Sequence, residues 1–280
     1  MESNLFGERV NVHVAPVAPW MGGKRNLAKR LTRLISSVEH SVYAEAFIGM
    51  GGVFLRRRIA ARVEVINDFS GDVVNLFRIL QRHYPQFLDC LKYQLTSRRE
   101  FERLSRQDPV TLTDLERAAR FLYLQRTAFG GKVTGQSFGV SLDGRARFDL
   151  TSLAPMLEAV HERLSGVLIE NLGFDEFIPR YDRPETLFYC DPPYFGCEDD
   201  YGKEMFARED FARLADLMGS VAGKMLVSIN DVPEIRDVFS RFHQVPVNVT
   251  YSISDGPPRE FGELVIANFE HPLLKPGALA

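Results

Sequence analysis

The stretch that most constrains this chain is Tyr189-Cys190-Asp191-Pro192-Pro193-Tyr194. It follows a short apolar run, Thr186-Leu187-Phe188, of the kind that forms a buried strand. A strand cannot run on through Pro192-Pro193, because neither residue offers an N–H and both fix φ. Asp191 is therefore expected where the strand stops, at its carboxyl end, which is where ligands bind in an open α/β sheet. The residue before each proline is pushed to extended geometry, which turns its carbonyl outward as a second acceptor beside the Asp191 carboxylate. Tyr194 adds a flat ring. Two acceptors beside a stacking ring suit a planar amine, such as the exocyclic NH₂ of a nucleobase taken out of its helix. A bare proline turn with Asp191 as a helix cap is the plainer alternative.

A second corner lies upstream. Ser41 to Ile48 reads as a strand, followed by the glycine turn Gly49-Met50-Gly51-Gly52 and a helix from about Val53. Glycines there let backbone approach a cofactor closely. A further strand, Arg62 to Ile66, ends in Asn67-Asp68, and Asp68 stands nineteen residues beyond Gly49. That is the offset at which a carboxylate meets ribose hydroxyls. A nicotinamide dinucleotide and S-adenosylmethionine both fit this pattern, but Phe54 occupies the third glycine position of the dinucleotide fingerprint. Before this corner, Pro19-Trp20-Met21-Gly22-Gly23-Lys24 leads into a helical Leu27, Leu31, Leu34, Ile35 spacing. A glycine loop carrying Lys24 can hold an anion. Trp20 alone reads first as a core or capping aromatic.

Length and composition exclude several classes. With 280 residues, 45% hydrophobic and 25% charged, the chain can bury a sizeable core in one or two domains. Three cysteines without a Cys-x-x-Cys pair argue against a disulfide framework or a structural zinc site and for a reducing cytoplasm. No metal-ligand cluster is expected. Neither a signal pattern nor a run of about eighteen apolar residues is present, so a cytoplasmic protein is expected.

The formal charge of −3 does not suggest a nucleic-acid binder, but local charge does. Arg117, Arg120, Arg126, Lys132, Arg145 and Arg147 face a single acid, Asp143, and read as a basic face. This run begins in a region, Gly71 to about Phe129, that is helical with little strand character. Helices are expected over Asp72–Leu80, Pro85–Leu95 and Thr113–Leu124, the last capped by Thr113 with Glu116 three residues on. The stretch from Phe129 to Gly139 is glycine-rich and basic and reads as a loop or hairpin. Such a hairpin, with Lys132, Thr134 and Gln136, can enter a DNA groove.

The α/β pattern then resumes. Ala154–Leu164 is expected as a helix, Val167–Glu170 as a strand and Asp175–Ile178 as a short apolar turn. Phe195–Phe206 reads as a loop able to close over a substrate. Phe211–Val221 and Pro233–Phe239 read as helices and Lys224–Ile229 as a strand. Gln244–Ile253 and Glu263–Phe269 form an antiparallel pair around a Gly-Pro-Pro turn.

In this order the motifs resemble the Dam-type DNA adenine-N6 methyltransferases. The matching stretches are Pro19–Lys24, Glu45–Gly52, Ile66-Asn67-Asp68, Arg120–Leu124, Tyr189–Tyr194, Leu226–Asn230, and Tyr251–Ser254 with Glu263-Leu264-Val265. The resemblance spans nearly the whole chain. It implies an α/β fold, a Rossmann-like S-adenosylmethionine-dependent methyltransferase sheet with an inserted helical target-recognition domain. The implied division is 1–76 and 149–280 for the catalytic domain and 77–148 for the insertion. It implies that Trp20, Lys24, Phe47, Gly49, Asp68 and Asp191 lie at the S-adenosyl-L-methionine site. Asp191 with the Pro192 carbonyl would accept from the adenine N6 amine, Pro193 would stiffen the corner, and Tyr194 would stack on the flipped base. Arg126, Lys132, Thr134 and Gln136 would meet double-stranded DNA. The resemblance further implies a bacterial or phage-encoded monomer, in restriction–modification, phage or regulatory settings alike. GATC-specific relatives usually carry Asn-Gly and an arginine after the hairpin phenylalanine. Here the residues are Gly130-Gly131-Lys132-Val133-Thr134, so the reaction is implied and a GATC target is not.

The rival readings are adenine methylation in RNA or a protein amide, cytosine N4 methylation, a dinucleotide oxidoreductase and a silent DNA-binding module. Serine is common at the Asp191 position of the cytosine-N4 group, and an oxidoreductase gives Tyr194 no role.

Overall fold

A computed structural model describes residues 2–3, 9–24, 26–140, 146–197, 205–251, 259–275 and 277–278. Expectations on Ser252–Ser254, the Gly-Pro-Pro turn, Asp143 and Arg145 lie outside these, as does the middle of the Phe195–Phe206 loop.

After a two-residue ladder of β1 (Glu2–Ser3) and β2 (Arg9–Val10), α1 (Ala28–Ser37) precedes the main sheet. Its strands are β3 (Val42–Glu45), β4 (Val63–Asn67), β5 (Leu168–Glu170), β6 (Thr186–Cys190), β7 (Lys224–Asn230), β8 (His243–Tyr251) and β9 (Arg259–Ala267). Their spatial order is β5-β4-β3-β6-β7-β9-β8. The first five run parallel, and β9 joins antiparallel to both β7 and β8. Strands leave β3 in one direction and resume from β6 in the other, so β3 and β6 bracket the switch point where a crevice opens.

Side-chain alternation explains why both faces are covered. On β6, Leu187 and Tyr189 enter one core with Leu31, Leu76, Leu157 and Val160, whereas Phe188 and Cys190 enter the other with Phe177, Phe211, Leu214 and Ile235. Every residue of β6 is buried, as a central parallel strand requires. The second face is closed by α7 (Phe174–Tyr181), α8 (Asp210–Ser220) and α9 (Pro233–Val238).

Between β4 and β5 run α2 (Gly71–Arg82), α3 (Tyr84–Leu91), α4 (Arg98–Arg106), α5 (Asp114–Thr127) and α6 (Leu150–Arg163). Their starts are written locally: Ser70, Ser97, Thr113 and Asp149 each accept from an orphan backbone N–H of the first turn. Thr113 and Glu116 form the reciprocal capping box that their spacing predicts.

Two expectations are corrected. The helix anticipated from about Val53 is a single 3₁₀ turn, Phe54–Arg56. Arg57 leaves that turn extended (φ −70°, ψ 123°), and its guanidinium meets Glu64 Oε1 at 2.6 Å. Glu64 also takes Arg163 at 2.7 Å, so a buried ion cluster draws the chain out of helical geometry. The segment read as a turn at Asp175–Ile178 lies within α7, which buries Phe174, Phe177 and Ile178 at helical spacing despite Pro179. Packing of that face overrides the proline.

Candidate active site

The acceptor corner forms where β6 ends. Asp191 keeps 20% of its side chain exposed, and its Oδ1 lies 2.6 Å from Lys24 Nζ, which is 1% exposed. Lys24 also donates to Gly22 O at 3.0 Å and to the Tyr194 hydroxyl at 3.2 Å. Its ammonium sits 4.6 Å from the centroid of the Tyr194 ring. The Tyr194 hydroxyl in turn donates to Glu263 on β9. Ser228 Oγ, 2.7 Å from the Tyr189 hydroxyl, donates a longer bond of 3.4 Å to Asp191. Burial raises the Asp191 carboxyl to about 6, with Glu263 adding to the rise and Lys24 and Ser228 opposing it. Asp191 is thus predominantly ionised at neutral pH and loses that charge just below it.

The second corner is built by β3, β4 and the segment before α1. Gly49 has φ +48°, and a Cβ there would lie 2.6 Å from Trp20 Nε1. Only glycine meets both demands. Its N–H donates to Asp68 Oδ2 at 2.9 Å, while Ser70 N–H donates to Oδ1 at 2.9 Å. The nineteen-residue offset seen in sequence is therefore a direct contact. Burial lifts Asp68 to about 6 against those two bonds. Phe47 packs against Phe174 and Phe206 at 5.7 and 5.8 Å between centroids.

The two corners open into one cavity of about 760 Å³. Trp20, Lys24, Phe47, Gly49, Asp68, Asp191, Pro192, Pro193 and Tyr194 all line it, so every residue expected at the cofactor or the amine shares one wall system. The volume falls in the range of small-molecule sites.

Glu45 and Glu263 stand in stretches that carry the family resemblance, but the sequence assigns neither a role. Glu45 ends β3, lines the cavity and is 2% exposed. The Tyr43 hydroxyl donates to its Oε2 at 2.6 Å. Burial, with help from Asp191, pushes Glu45 to about 8 against the Tyr43 bond. A folded-state value above the ordinary 4.5 favours the proton in the fold. The associated stability is complete below 4.5 and disappears as pH rises through about 8. Glu45→Gln is therefore expected to match wild type at pH 5 in thermal melts and to exceed it by several degrees at pH 9. A difference independent of pH would refute the buried acid.

The basic face takes another form than expected. Arg117 pairs with Asp72 at 2.6 Å, and Arg120 donates to Leu104 O at 2.7 Å. Arg126, expected at DNA, donates to Arg147 O at 3.0 Å and also to Val17 O, while Arg147 donates to Ala128 O at 3.0 Å. Arg120, Arg126 and Arg147 are internal clamps, because a planar fork can satisfy backbone carbonyls, whereas Arg117 is held by a carboxylate. Among the described members of the run, Lys132 is exposed, as is Thr134 on the same loop. Gln136 donates to Lys132 O at 2.8 Å and to Gln125 Oε1 at 3.3 Å. Gln125, fully buried, donates to Pro19 O and Gly131 O, each at 2.8 Å. Val133 and Arg126 reach the cavity wall, so the loop adjoins the site.

A carboxylate acceptor and an aromatic ring face this cavity at the switch point of a parallel sheet ending in an antiparallel pair. That combination places the protein among the Rossmann-like methyltransferases. The sequence profile of the D12 class N6 adenine-specific DNA methyltransferases matches residues 20–253, and the chain belongs to that family. It is 25% identical to the type II methyltransferase M1.LlaDCHI of Lactococcus lactis subsp. cremoris, across 94% of this chain and 98% of that one. It is 24% identical to the DNA N-6-adenine-methyltransferase of Escherichia phage P1, across 84% of this chain and 32% of that protein. A third relative, the retron Ec67 DNA adenine methylase of Escherichia coli, is 20% identical over 90% of each chain. Among the described residues no helix is long and apolar enough to cross a membrane.

Proposed function

We propose that the chain transfers the methyl group of S-adenosyl-L-methionine to the N6 amine of an adenine flipped out of double-stranded DNA. The observation that carries this reading is the single cavity shared by the Gly49–Asp68 corner and the Asp191–Tyr194 corner. Trp20, Lys24, Phe47, Gly49 and Asp68 would hold the cofactor, with the Asp68 carboxylate beside the ribose. When bound, that cofactor supplies a methyl group on a sulfonium, a leaving group that needs no further activation.

The chain's own residues then act on the amine. An exocyclic amine is a poor nucleophile because its lone pair is delocalised into the ring. Asp191 and the Pro192 carbonyl, each accepting one amine hydrogen, favour the pyramidal amine with a localised lone pair. This is stabilisation of the transition state rather than prior abstraction of a proton; the methylated amine is then cationic and releases one hydrogen as a proton to solvent. Pro193 keeps the corner rigid, and Tyr194 offers its face to the extruded base. Extrusion costs about a few kcal/mol, which stacking and phosphate contacts offset. Alignment of amine and methyl supplies much of the remaining rate.

Residues 77–148 would form the target-recognition insertion between catalytic segments 1–76 and 149–280. Lys132, Thr134 and Gln136 would face DNA, and Arg126 would brace their loop from behind. Lys132→Ala is expected to weaken DNA binding severalfold and to reduce the slope of log affinity against log salt by about 1. Calorimetric cofactor affinity should stay unchanged. Unaltered DNA binding and site choice would make the loop an ordinary surface.

The overall test is single-molecule sequencing of DNA from cells expressing wild type or Asp191→Ala. Modified adenine at one short sequence, present with wild type alone, is the expected result. No modified adenine with soluble wild-type protein would overturn the proposal.

A further inference from the structure

Tyr194 is held from two sides by residues far apart in sequence. Its hydroxyl accepts from Lys24 Nζ at 3.2 Å and donates to the Glu263 carboxylate. Glu263 is 1% exposed and belongs to β9, where it stands opposite Asn230 of β7 in the antiparallel ladder. Asn230 grips the next peptide: its Oδ1 accepts from Phe195 N at 2.9 Å and its Nδ2 donates to Phe195 O at 3.1 Å. Two directly paired residues of the β7–β9 ladder thus fix both the phenol tip of Tyr194 and the backbone beyond it. A tyrosine ring after a prolyl corner is otherwise free to turn about its χ torsions.

We propose that Glu263 is a positioning residue for the reaction: by accepting the Tyr194 hydroxyl hydrogen it fixes the plane on which the target base stacks. This rests on the reading that Tyr194 stacks on the flipped base. The paired Asn230 fixes the height of the ring along the sheet, and Glu263 fixes its tilt. Lys24 couples the same hydroxyl to the Asp191 carboxylate, so the plane of the base and the amine acceptor share one hydrogen-bonded chain. The antiparallel end of the sheet, remote in sequence from the prolyl corner, therefore sets substrate geometry.

The test is a double-mutant cycle on the single-turnover methylation rate, with the full chain at saturating cofactor and cognate duplex. Measurement at pH 8 keeps Asp191 ionised in every variant. Glu263→Leu and Tyr194→Phe are each expected to slow the step about tenfold, the scale of one hydrogen bond to a charged acceptor. The double variant should be no slower than either alone. Glu263→Gln, whose amide oxygen accepts the same bond, should stay within about threefold of wild type. Multiplying losses in the double variant would overturn the proposal, as would a Glu263→Gln variant as slow as Glu263→Leu. If Glu263→Leu fails to fold, Tyr194→Phe removes this bond together with the one from Lys24, and a wild-type rate there overturns the proposal.

A duplex with 2-aminopurine at the target position separates this idea from its premise. Stacking on the ring quenches the probe, so Tyr194→Ala should brighten it. No change with Tyr194→Ala would remove the stacking reading itself. Brightening with Tyr194→Ala together with a multiplicative cycle would remove only Glu263.

Discussion

Asp191→Ala is expected to lower methyl transfer by about 10²–10³-fold, the loss that follows removal of one preorganised group aimed at the reacting centre. Duplex affinity should persist, because the carboxylate faces the cavity and not a phosphate. Loss of the acid also deprives the buried Lys24 of a partner at 2.6 Å. An uncompensated buried cation destabilises a fold, so a lower melting temperature should accompany the lost activity. Asp191→Asn separates the two effects. Its amide oxygen still accepts from Lys24, so stability should largely return while the rate stays low for want of charge. Rates within threefold of wild type in both variants would end the assignment of Asp191 to the amine.

The second large effect concerns Lys24. Lys24→Met is expected to slow transfer about 10–10²-fold and to change the pH profile in a defined direction. Under the proposed mechanism activity needs the ionised form of Asp191, whose carboxyl already stands at about 6 because burial and Glu263 outweigh Lys24. Removing the ammonium deletes the main force holding that value down. The acid limb should therefore move from near pH 6 in wild type to higher pH, and part of the lost rate should return by pH 9. Among the described residues, the charged and titratable groups around the carboxylate are Lys24, Glu263, Glu45, the Cys190 thiol and the Tyr189 and Tyr194 phenols, and of these Lys24 is the cation. Single-turnover rates from pH 5.5 to 9 would show the displacement. A limb that stays in place would mean that Lys24 does not govern Asp191.

How far the sequence could be read depended on the range of the forces involved. The prolyl corner was legible because Pro192-Pro193 act on the chain locally, and the strand before them buries every residue. The corner of Gly49 and Asp68 was legible because a glycine turn and an acid each follow a strand, although the hydrogen bond between the two was not foreseen: it forms because β3 and β4 lie side by side. Arg120, Arg126 and Arg147 were not legible as clamps. Nothing in a charged letter tells whether its guanidinium will find Leu104 O, Val17 O or a phosphate. Glu263 was hidden for a related reason. Its partner Tyr194 lies sixty-nine residues earlier, and only the ladder between β7 and β9 brings the two together. The 3₁₀ turn at Phe54–Arg56 escaped notice because the buried ion cluster of Arg57, Glu64 and Arg163 assembles from three separate elements.

If the loop around Lys132 reads DNA as proposed, its seating also bears on how such an enzyme could acquire a new target. Gly131 has φ +68°, and a Cβ there would lie 3.2 Å from Pro19 C and Cβ. Gly130 and Gly135 have no neighbour within 4 Å of the corresponding point. Gln125 ties Gly131 O and Pro19 O to one amide. The exposed Lys132 and Thr134 could then be exchanged by evolution or by grafting, whereas Val133 belongs to the cavity wall and residue 131 is the pin on which the loop is mounted. Retargeting would proceed by swapping the blade and leaving the pin, and a library that randomised both would spend many of its members on loops that push against Pro19 and Trp20.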